Sequence, residues 1–303
     1  MNATAREPLS DSVNPLGLCG IEFIEYATST PQALGQVLET MGFRPVARHR
    51  SREVLLYRQG DMNVVVNAHA ANIPRAAEPT DRPAIAAIAL RVRDAAAAYR
   101  YVLERGAWPV PAQVAPMELH IPAIHGVGAS RIYFVDRWEQ FSIYDVDFTP
   151  IPTVDMHPPA LTNLHWFGVV QYIGNDRMAD WIEFYSKLFG FELLPDEVRF
   201  GVLPKGAVLR SPCGKFFLQL IEPEPGILDV QGEESLQRVG LGTPDVLASV
   251  AALRGRGVSF VESQGVHSEL RGALTRTYLG SAMFELVQHE EPTGDPVAAR
   301  SRL

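Results

Sequence analysis

The sequence predicts an α+β protein made of two related halves, each holding two strand–helix–three-strand modules. Three observations support this prediction. Residues 164–194 form one strand–helix–strand unit, similar elements follow the same order in both halves, and matching segments lie roughly 150 residues apart. Since unrelated α+β domains would not repeat four segments in one order, we interpret the pattern as an internal duplication.

The unit at residues 164–194 defines the module. Its first ten residues are apolar and have the composition of a strand. Asn175 or Asp176 is predicted to cap the helix that follows. The apolar stripe of this helix, at helical spacing, is Met178, Trp181, Ile182, Tyr185, Leu188 and Phe189. Gly190 then stands where a left-handed C-cap belongs, directly before the next strand.

The first half has the same kinds of element. We predict strands at 20–27, 54–57, 62–67, 84–92, 131–135 and 141–148, and helices at 31–41 and 95–104. The proline-rich segment 149–159 predicts a linker. The predicted organisation is a flexible tail at 1–17, an N-terminal domain at 18–150, a linker at 151–160, a C-terminal domain at 161–292 and a tail at 293–303.

Four pairs of segments support the duplication. They are MGF at 41–43 with FGF at 189–191, the turn at 59–61 with the turn at 212–215, ERGAWPV at 104–110 with GRGVSFV at 255–261, and FSIYDVDF at 141–148 with MFELVQHE at 283–290. Each pair keeps the spacing of the others, so one module order accounts for the whole chain.

Composition excludes several classes of function. The chain has 303 residues, enough for two domains, and 47% of them are hydrophobic, which allows a packed core. A net charge of −8 argues against a nucleic-acid surface, which needs clustered Lys and Arg. No apolar run is long enough for a membrane span or a signal sequence, and Cys19 and Cys213 make no disulfide framework. We therefore expect a cytoplasmic protein without membrane or nucleic-acid partners.

These segments resemble the vicinal oxygen chelate (glyoxalase/bleomycin resistance/dioxygenase) superfamily and, within it, the 4-hydroxyphenylpyruvate dioxygenases. The segments that carry the resemblance are GIEFIEYATSTPQALGQVLETMGFRPVARHRSREVLLYRQGDMNVVVN at 20–67, PMELHIPAIHGVGASRIYFVDR at 116–137, SIYDVDF at 142–148, DRMADWIEFYSKLFGF at 176–191 and SPCGK at 211–215. The resemblance implies that each pair of βαβββ modules curls into an open, mostly antiparallel sheet around a cavity. It also implies homo-oligomers and a catalytic C-terminal half.

The resemblance further implies Fe(II) held by two His and one carboxylate from three strands of the C-terminal half. Glu285, in the segment MFELVQ at 283–288, matches the carboxylate ligand. Arg238 stands where the second His belongs, and a guanidinium has no lone pair for iron. The shortened segment before the last strand and the missing C-terminal lid helix also depart from the family.

The first His of the family also has no match. Alignment places Trp166 at its position, or Gly168 when counted back without gaps from the helix. Because these two residues differ by two, we predict that they share a sheet face and that His165 points to the other face. A change of register would bring His165 into the cavity. His165 is thus a weak metal candidate, and a rebuilt site of His165, Glu285 and His289 is an alternative.

The cavity therefore has several possible uses. Arg238 and Glu285 are predicted to face each other, either as a structural salt bridge or as a site where Arg238 binds a small acid and Glu285 acts as a base. Trp166 would stack on an aromatic ligand or plug the core. The candidate substrate-binding residues are Arg238, Trp166, Gln219 and Thr275, and the candidate catalytic residues are Glu285 and Arg238.

The leading hypothesis is a divergent member of the resembled family that binds a small aromatic or 2-oxo acid in its C-terminal cavity without the family iron. It is either a binding protein or a metal-independent lyase or isomerase. One alternative is an Fe(II)-dependent 2-oxo acid dioxygenase with an altered ligand set that includes Glu285. The other is a non-catalytic oligomeric scaffold. The expected partners are a small carboxylate and further copies of the chain.

Overall fold

A computed structural model describes residues 13–68, 82–111, 118–139, 141–198, 200–202, 206–222, 234–262 and 272–290. The strands of the N-terminal half are β1 (Leu18–Ala27), β2 (Arg44–His49), β3 (Val54–Gln59), β4 (Met62–Asn67), β5 (Ala84–Val92), β6 (Ala123–His125), β7 (Arg131–Val135) and β8 (Phe148–Pro150). Its helices are α1 (Pro31–Thr40), α2 (Ala95–Leu103) and α3 (Ile143–Asp147). The predicted α+β class is confirmed.

The C-terminal half has a similar set of elements. Its strands are β9 (His165–Tyr172), β10 (Glu192–Leu193), β11 (Ala207–Arg210), β12 (Phe217–Ile221), β13 (Ser235–Thr243), β14 (Gly272–Leu274) and β15 (Phe284–Gln288). Its helices are α4 (Met178–Phe189) and α5 (Val246–Gly255). No helix among the described residues is long and apolar enough to cross a membrane.

Both halves have the same strand order. Seven strands of the N-terminal half follow the order β2-β3-β4-β1-β5-β7-β6, and those of the C-terminal half follow β10-β11-β12-β9-β13-β15-β14. In the N-terminal half β8 also pairs with β2 at the edge of the sheet. The pairs β1–β4, β5–β7, β9–β12 and β13–β15 are parallel and the other pairs are antiparallel. Leu236 of β13 pairs with Ile85 of β5, which joins the halves into one sheet. The predicted two-halved, mostly antiparallel architecture is confirmed, while its origin by duplication stays a prediction.

The sheet has two differently packed faces. The outer face packs against α1, α2, α4 and α5 in one core that spans both halves, with Phe134 stacked on Phe189 at 6.2 Å between ring centroids. The inner face, turned away from these helices, carries a separate apolar cluster in each half. The outer face is therefore taken up by core packing with the helices, and the candidate site lies on the inner face.

Two local predictions are wrong. Residues 141–148 do not form a strand, because Ser142 and Asp145 make a capping box that starts α3, and only Phe148 belongs to a strand. Neither Asn175 nor Asp176 caps α4. The carboxylate of Glu222 accepts the hydrogen bond of the Met178 N–H (3.0 Å), while Asp176 lies in a turn with φ of 60°. Gly190 takes the predicted left-handed conformation, with φ of 75°.

Candidate functional site

A β-bulge in β9 decides which side chains reach the inner face of the C-terminal half. Gly168 pairs with Gly240 and Trp166 pairs with Leu241, so Phe167 is the extra residue. Phe167 packs in the inner cluster, whereas Trp166 lies in the outer core beside Phe43. The prediction that Trp166 and Gly168 share a face is therefore wrong, and Trp166 is not placed to stack on a ligand of the inner face.

Arg238 and Glu285 form the polar centre of this inner face. The Arg238 Nε donates a hydrogen bond of 2.8 Å to Glu285 Oε2, and the two side chains are 3% and 0% exposed. Gln219 of β12, which is separated from β13 by β9, accepts a longer hydrogen bond of 3.4 Å from Arg238 Nη2. The structure thus brings together three residues that the sequence singled out.

The segment 200–202 covers this pair. The Val202 N–H donates to Glu285 Oε1 at 2.7 Å, which satisfies the second carboxylate oxygen. Gly201 permits this approach, because a Cβ at that position would lie 2.1 Å from the same oxygen. The carboxylate is therefore hydrogen-bonded on both oxygens by the protein itself.

Phe200 fills the space next to the pair. Its ring is fully buried and meets Phe167 edge to face at 4.9 Å between centroids. A Cβ on Gly168 or Gly240 would lie within 2.9 Å of the Phe200 ring, so both glycines leave room for it. Sequence reasoning missed Phe200, because only the fold brings this residue over β9 and β13.

These residues do not fit the iron site that the sequence resemblance implies. Gly168 and Arg238 offer no ligand atom, and both oxygens of Glu285 are already engaged. Within the described ranges, no group of three or more His, Cys, Asp or Glu side chains is arranged to hold a metal ion. The rebuilt site of His165, Glu285 and His289 is accordingly absent from these ranges, since Glu285 is paired with Arg238 instead.

His165 and His289 form a second polar feature of the same face. His165 Nδ1 donates to the Asn163 carbonyl at 3.1 Å, and His165 Nε2 lies 3.0 Å from His289 Nδ1. In neutral rings these bonds assign the Nδ1 proton of His289 and leave its Nε2 lone pair free. The His289 ring also contacts Phe167 (5.1 Å) and Phe217 (5.9 Å). Burial and the nearby His165 lower the pKa of His289, which favours the neutral ring.

The bulge also explains the position of His165. The prediction that His165 points away from the inner face is wrong. The extra residue Phe167 lies on the inner face, and His165, two residues earlier in the strand, lies on that face as well. Gly242 of β13 leaves room for the His165 ring, because a Cβ at that position would lie 2.3 Å from His165 Nε2. The sequence had named both histidines as ligands of a rebuilt metal site with Glu285, whereas the structure pairs them with each other.

Thr275 is not part of the polar centre. Its hydroxyl accepts a hydrogen bond of 3.0 Å from the Phe284 N–H at the start of β15, and its own N–H donates to the Phe284 carbonyl. The side chain is fully buried in this local role. The substrate-binding role predicted for Thr275 has no support from these contacts.

Comparisons with known proteins agree with this architecture. Residues 12–149 match the family described as hydroxyphenylpyruvate dioxygenase, HPPD, N-terminal, and residues 164–274 match the glyoxalase/bleomycin resistance protein/dioxygenase superfamily. The 4-hydroxyphenylpyruvate dioxygenase of Pseudomonas sp. (strain P.J. 874) is 33% identical over 299 residues, covering 93% of this chain and 79% of that protein.

Two further proteins are similar. Hemolysin VllY of Vibrio vulnificus (strain CMCP6) is 36% identical over 276 residues, covering 83% of this chain and 74% of its own. A solved structure of a xylose isomerase-like TIM barrel/4-hydroxyphenylpyruvate dioxygenase fusion protein superposes with a TM-score of 0.72 at 25% identity. The superposition covers 95% of this chain and 52% of the fusion protein, so this chain spans about half of that protein.

Proposed function

The chain belongs to the 4-hydroxyphenylpyruvate dioxygenase family, and from this premise we propose that it binds a small aromatic or 2-oxo acid through Arg238 in its C-terminal half, without the iron of the family. The similar 4-hydroxyphenylpyruvate dioxygenase supplies the class of acid, since 4-hydroxyphenylpyruvate is an aromatic 2-oxo acid. The proposal leaves iron out because Gly168 and Arg238 offer no ligand atom and Glu285 is paired with Arg238.

One observation carries this proposal: the guanidinium of Arg238 is buried and has spare donors. The whole residue is 2% exposed, and its Nη1 makes no hydrogen bond to any residue in the described ranges. A guanidinium that engages Glu285 through Nε keeps further N–H donors on its other nitrogens, and a carboxylate is the natural bidentate partner of an Arg side chain. Gln219, already beside Nη2, lies where its amide can contact the same ligand.

Glu285 and Phe200 define what the site would require of a ligand. Glu285 neutralises Arg238 in the absence of a ligand, and a bound carboxylate would compete with it for the guanidinium. Phe200, Phe167 and Val170 form the apolar surroundings, which favour an aromatic or short aliphatic body. Binding would therefore need the Phe200 ring to move from Gly168 and Gly240.

A second candidate function is supported by that same Phe200 ring. The ring fills the inner face and the Arg238–Glu285 pair is sealed beneath segment 200–202, as expected for a non-catalytic scaffold. Under this alternative the chain binds no small acid at Arg238 and acts through its surface, for which homo-oligomers are the proposed form.

The test is isothermal titration of the metal-free chain with 4-hydroxyphenylpyruvate. We expect saturable binding that weakens by about tenfold or more in Arg238→Lys, because Lys keeps the charge opposite Glu285 but loses the planar fork. Arg210→Lys is the matched control, since Arg210 lies in an exposed pair with Glu192. Unchanged affinity in Arg238→Lys would contradict the proposal, and no binding to the wild type would favour the scaffold.

A further inference from the structure

A cavity that the proposed function does not use opens at the end of β7 in the N-terminal half. The Phe134 N–H still donates to the Pro122 carbonyl at 2.9 Å, whereas Pro122 has no N–H with which to continue the pairing. From there the chain lies in no strand back to residue 119, and residues 119–122 and 134–137 both line the cavity. The start of α2 and Ile143 of α3 complete its walls. Its volume is about 220 Å³.

The walls of this cavity are largely apolar side chains. Phe134 is fully buried and Ile143 is 4% exposed, while Leu119 and Ile121 are half-buried beside them. At about 220 Å³ the space is smaller than the pockets of about 300–1,000 Å³ that hold drug-sized molecules. The space therefore suits a small molecule with a short apolar part.

Two side chains of opposite charge line the exposed part of the cavity. Asp136 and Arg137 are both exposed, and neither forms an ion pair within the described ranges. Asp136 Oδ2 accepts the hydrogen bond of the Ala95 N–H at 3.0 Å, which fixes the carboxylate at the start of α2 and leaves Oδ1 without a bond. The next residue, Ala96, also lines the cavity, and its N–H, in the first turn of α2, has no partner inside the helix.

This pair of charges selects among small ligands. A simple anion is attracted by Arg137 but repelled by Asp136, and a simple amine meets the reverse. An α-amino acid carries both charges close together and no net charge. Its ammonium group suits Oδ1 of Asp136, and its carboxylate suits the guanidinium of Arg137.

We propose that this cavity binds a free α-amino acid with a short apolar side chain, of the size of leucine. Arg137 and the Ala96 N–H hold the carboxylate of the ligand, and Asp136 holds its ammonium group. The side chain of the ligand lies against Phe134 and Ile143. This site is independent of the acid binding proposed for the C-terminal half.

The experiment is isothermal titration of the full chain with L-leucine and two analogues, 4-methylpentanoate and 3-methylbutylamine, which lack the ammonium and the carboxylate group respectively. The wild type and Arg238→Lys are both titrated, so that acid binding in the C-terminal half is recognised. We expect saturable L-leucine binding that is equal in the two chains. In Arg238→Lys both analogues should bind weaker by about tenfold or more, the effect of losing a hydrogen bond to a charged group.

Three variants in this background test the assigned contacts. Asp136→Asn keeps an acceptor for the Ala95 N–H and should bring the affinities for L-leucine and 4-methylpentanoate close together. Arg137→Gln should do the same for L-leucine and 3-methylbutylamine. Ala96→Trp places a large ring in the cavity, away from the two charges, and should abolish the binding of L-leucine.

Asp61→Asn and Arg44→Gln are the matched controls, because both residues are exposed and lie outside the cavity, and neither should change an affinity. A general loss of stability would weaken all three ligands alike, so the changed ratios separate recognition from folding. Absence of saturable L-leucine binding, or its loss in Arg238→Lys, overturns the proposal. Ratios that Asp136→Asn and Arg137→Gln leave unchanged, or L-leucine binding that persists in Ala96→Trp, overturn it as well.

Discussion

Replacing Arg238 with Met is expected to lower the free energy of unfolding by about 3–5 kcal/mol, because it leaves the carboxylate of Glu285 buried without its countercharge. The side chains are 3% and 0% exposed, so water cannot take over from the guanidinium. Urea unfolding followed by circular dichroism measures the loss. The Val202 N–H still donates to Glu285, but one neutral donor does not balance a buried negative charge.

Two controls define this result. The double variant Arg238→Met with Glu285→Leu should recover much of the loss, since it removes both charges and takes only one hydrogen bond each from the Val202 N–H and the Gln219 amide. Arg210→Met breaks an exposed pair with Glu192 and should cost no more than about 1 kcal/mol. A cost for Arg238→Met as small as that of Arg210→Met would show that the two buried groups are not paired in solution.

Replacing Phe200 with Ala is expected to destabilise the chain by about 3–5 kcal/mol, through the loss of a buried ring and the cavity left behind. The ring packs between Phe167, Gly168 and Gly240. Two of these residues have no side chain, so the neighbours cannot fill the cavity that Ala would leave. The thermal midpoint and the urea midpoint should fall together, because the inner cluster of the C-terminal half loses its central member.

Phe141→Ala is the matched control for this prediction. Phe141 is 59% exposed, so removing its ring should change the free energy of unfolding by no more than about 0.5 kcal/mol. Equally small changes in the free energy of unfolding for Phe200→Ala and Phe141→Ala would mean that the Phe200 ring is not packed on the inner face in solution. The C-terminal site would then be open without a ligand, contrary to the packing described above.

Local patterns in the sequence predicted most of the fold. Strand β5 at Ala84–Val92 and strand β7 at Arg131–Val135 have the predicted bounds, because continuous apolar runs between turn residues specify buried strands. Gly190 ends α4 as predicted, since only its left-handed conformation closes that turn easily. The pairing of Arg238 with Glu285 also followed from the sequence, because the family resemblance places both residues at ligand positions of one site.

The remaining features depend on contacts between distant parts of the chain. The bulge at Phe167 reverses the alternation of β9, so the orientations of Trp166 and His165 could not be read from spacing alone. The Glu222 carboxylate caps the N-terminus of α4, and the Val202 N–H donates to the Glu285 carboxylate. Neither contact is between residues that are close in the sequence. A short capping box at Ser142 likewise overrode the strand-like composition around it.

The most direct test of the central claim is the iron content of the purified chain after anaerobic incubation with Fe(II) and removal of the excess. Because the family resemblance places Arg238 at one ligand position and Trp166 or Gly168 at another, we expect no stoichiometric iron in the wild type and none in Glu285→Gln. About one iron per chain in the wild type, lost in Glu285→Gln, would contradict the account. That result would make the C-terminal half a metal site after all.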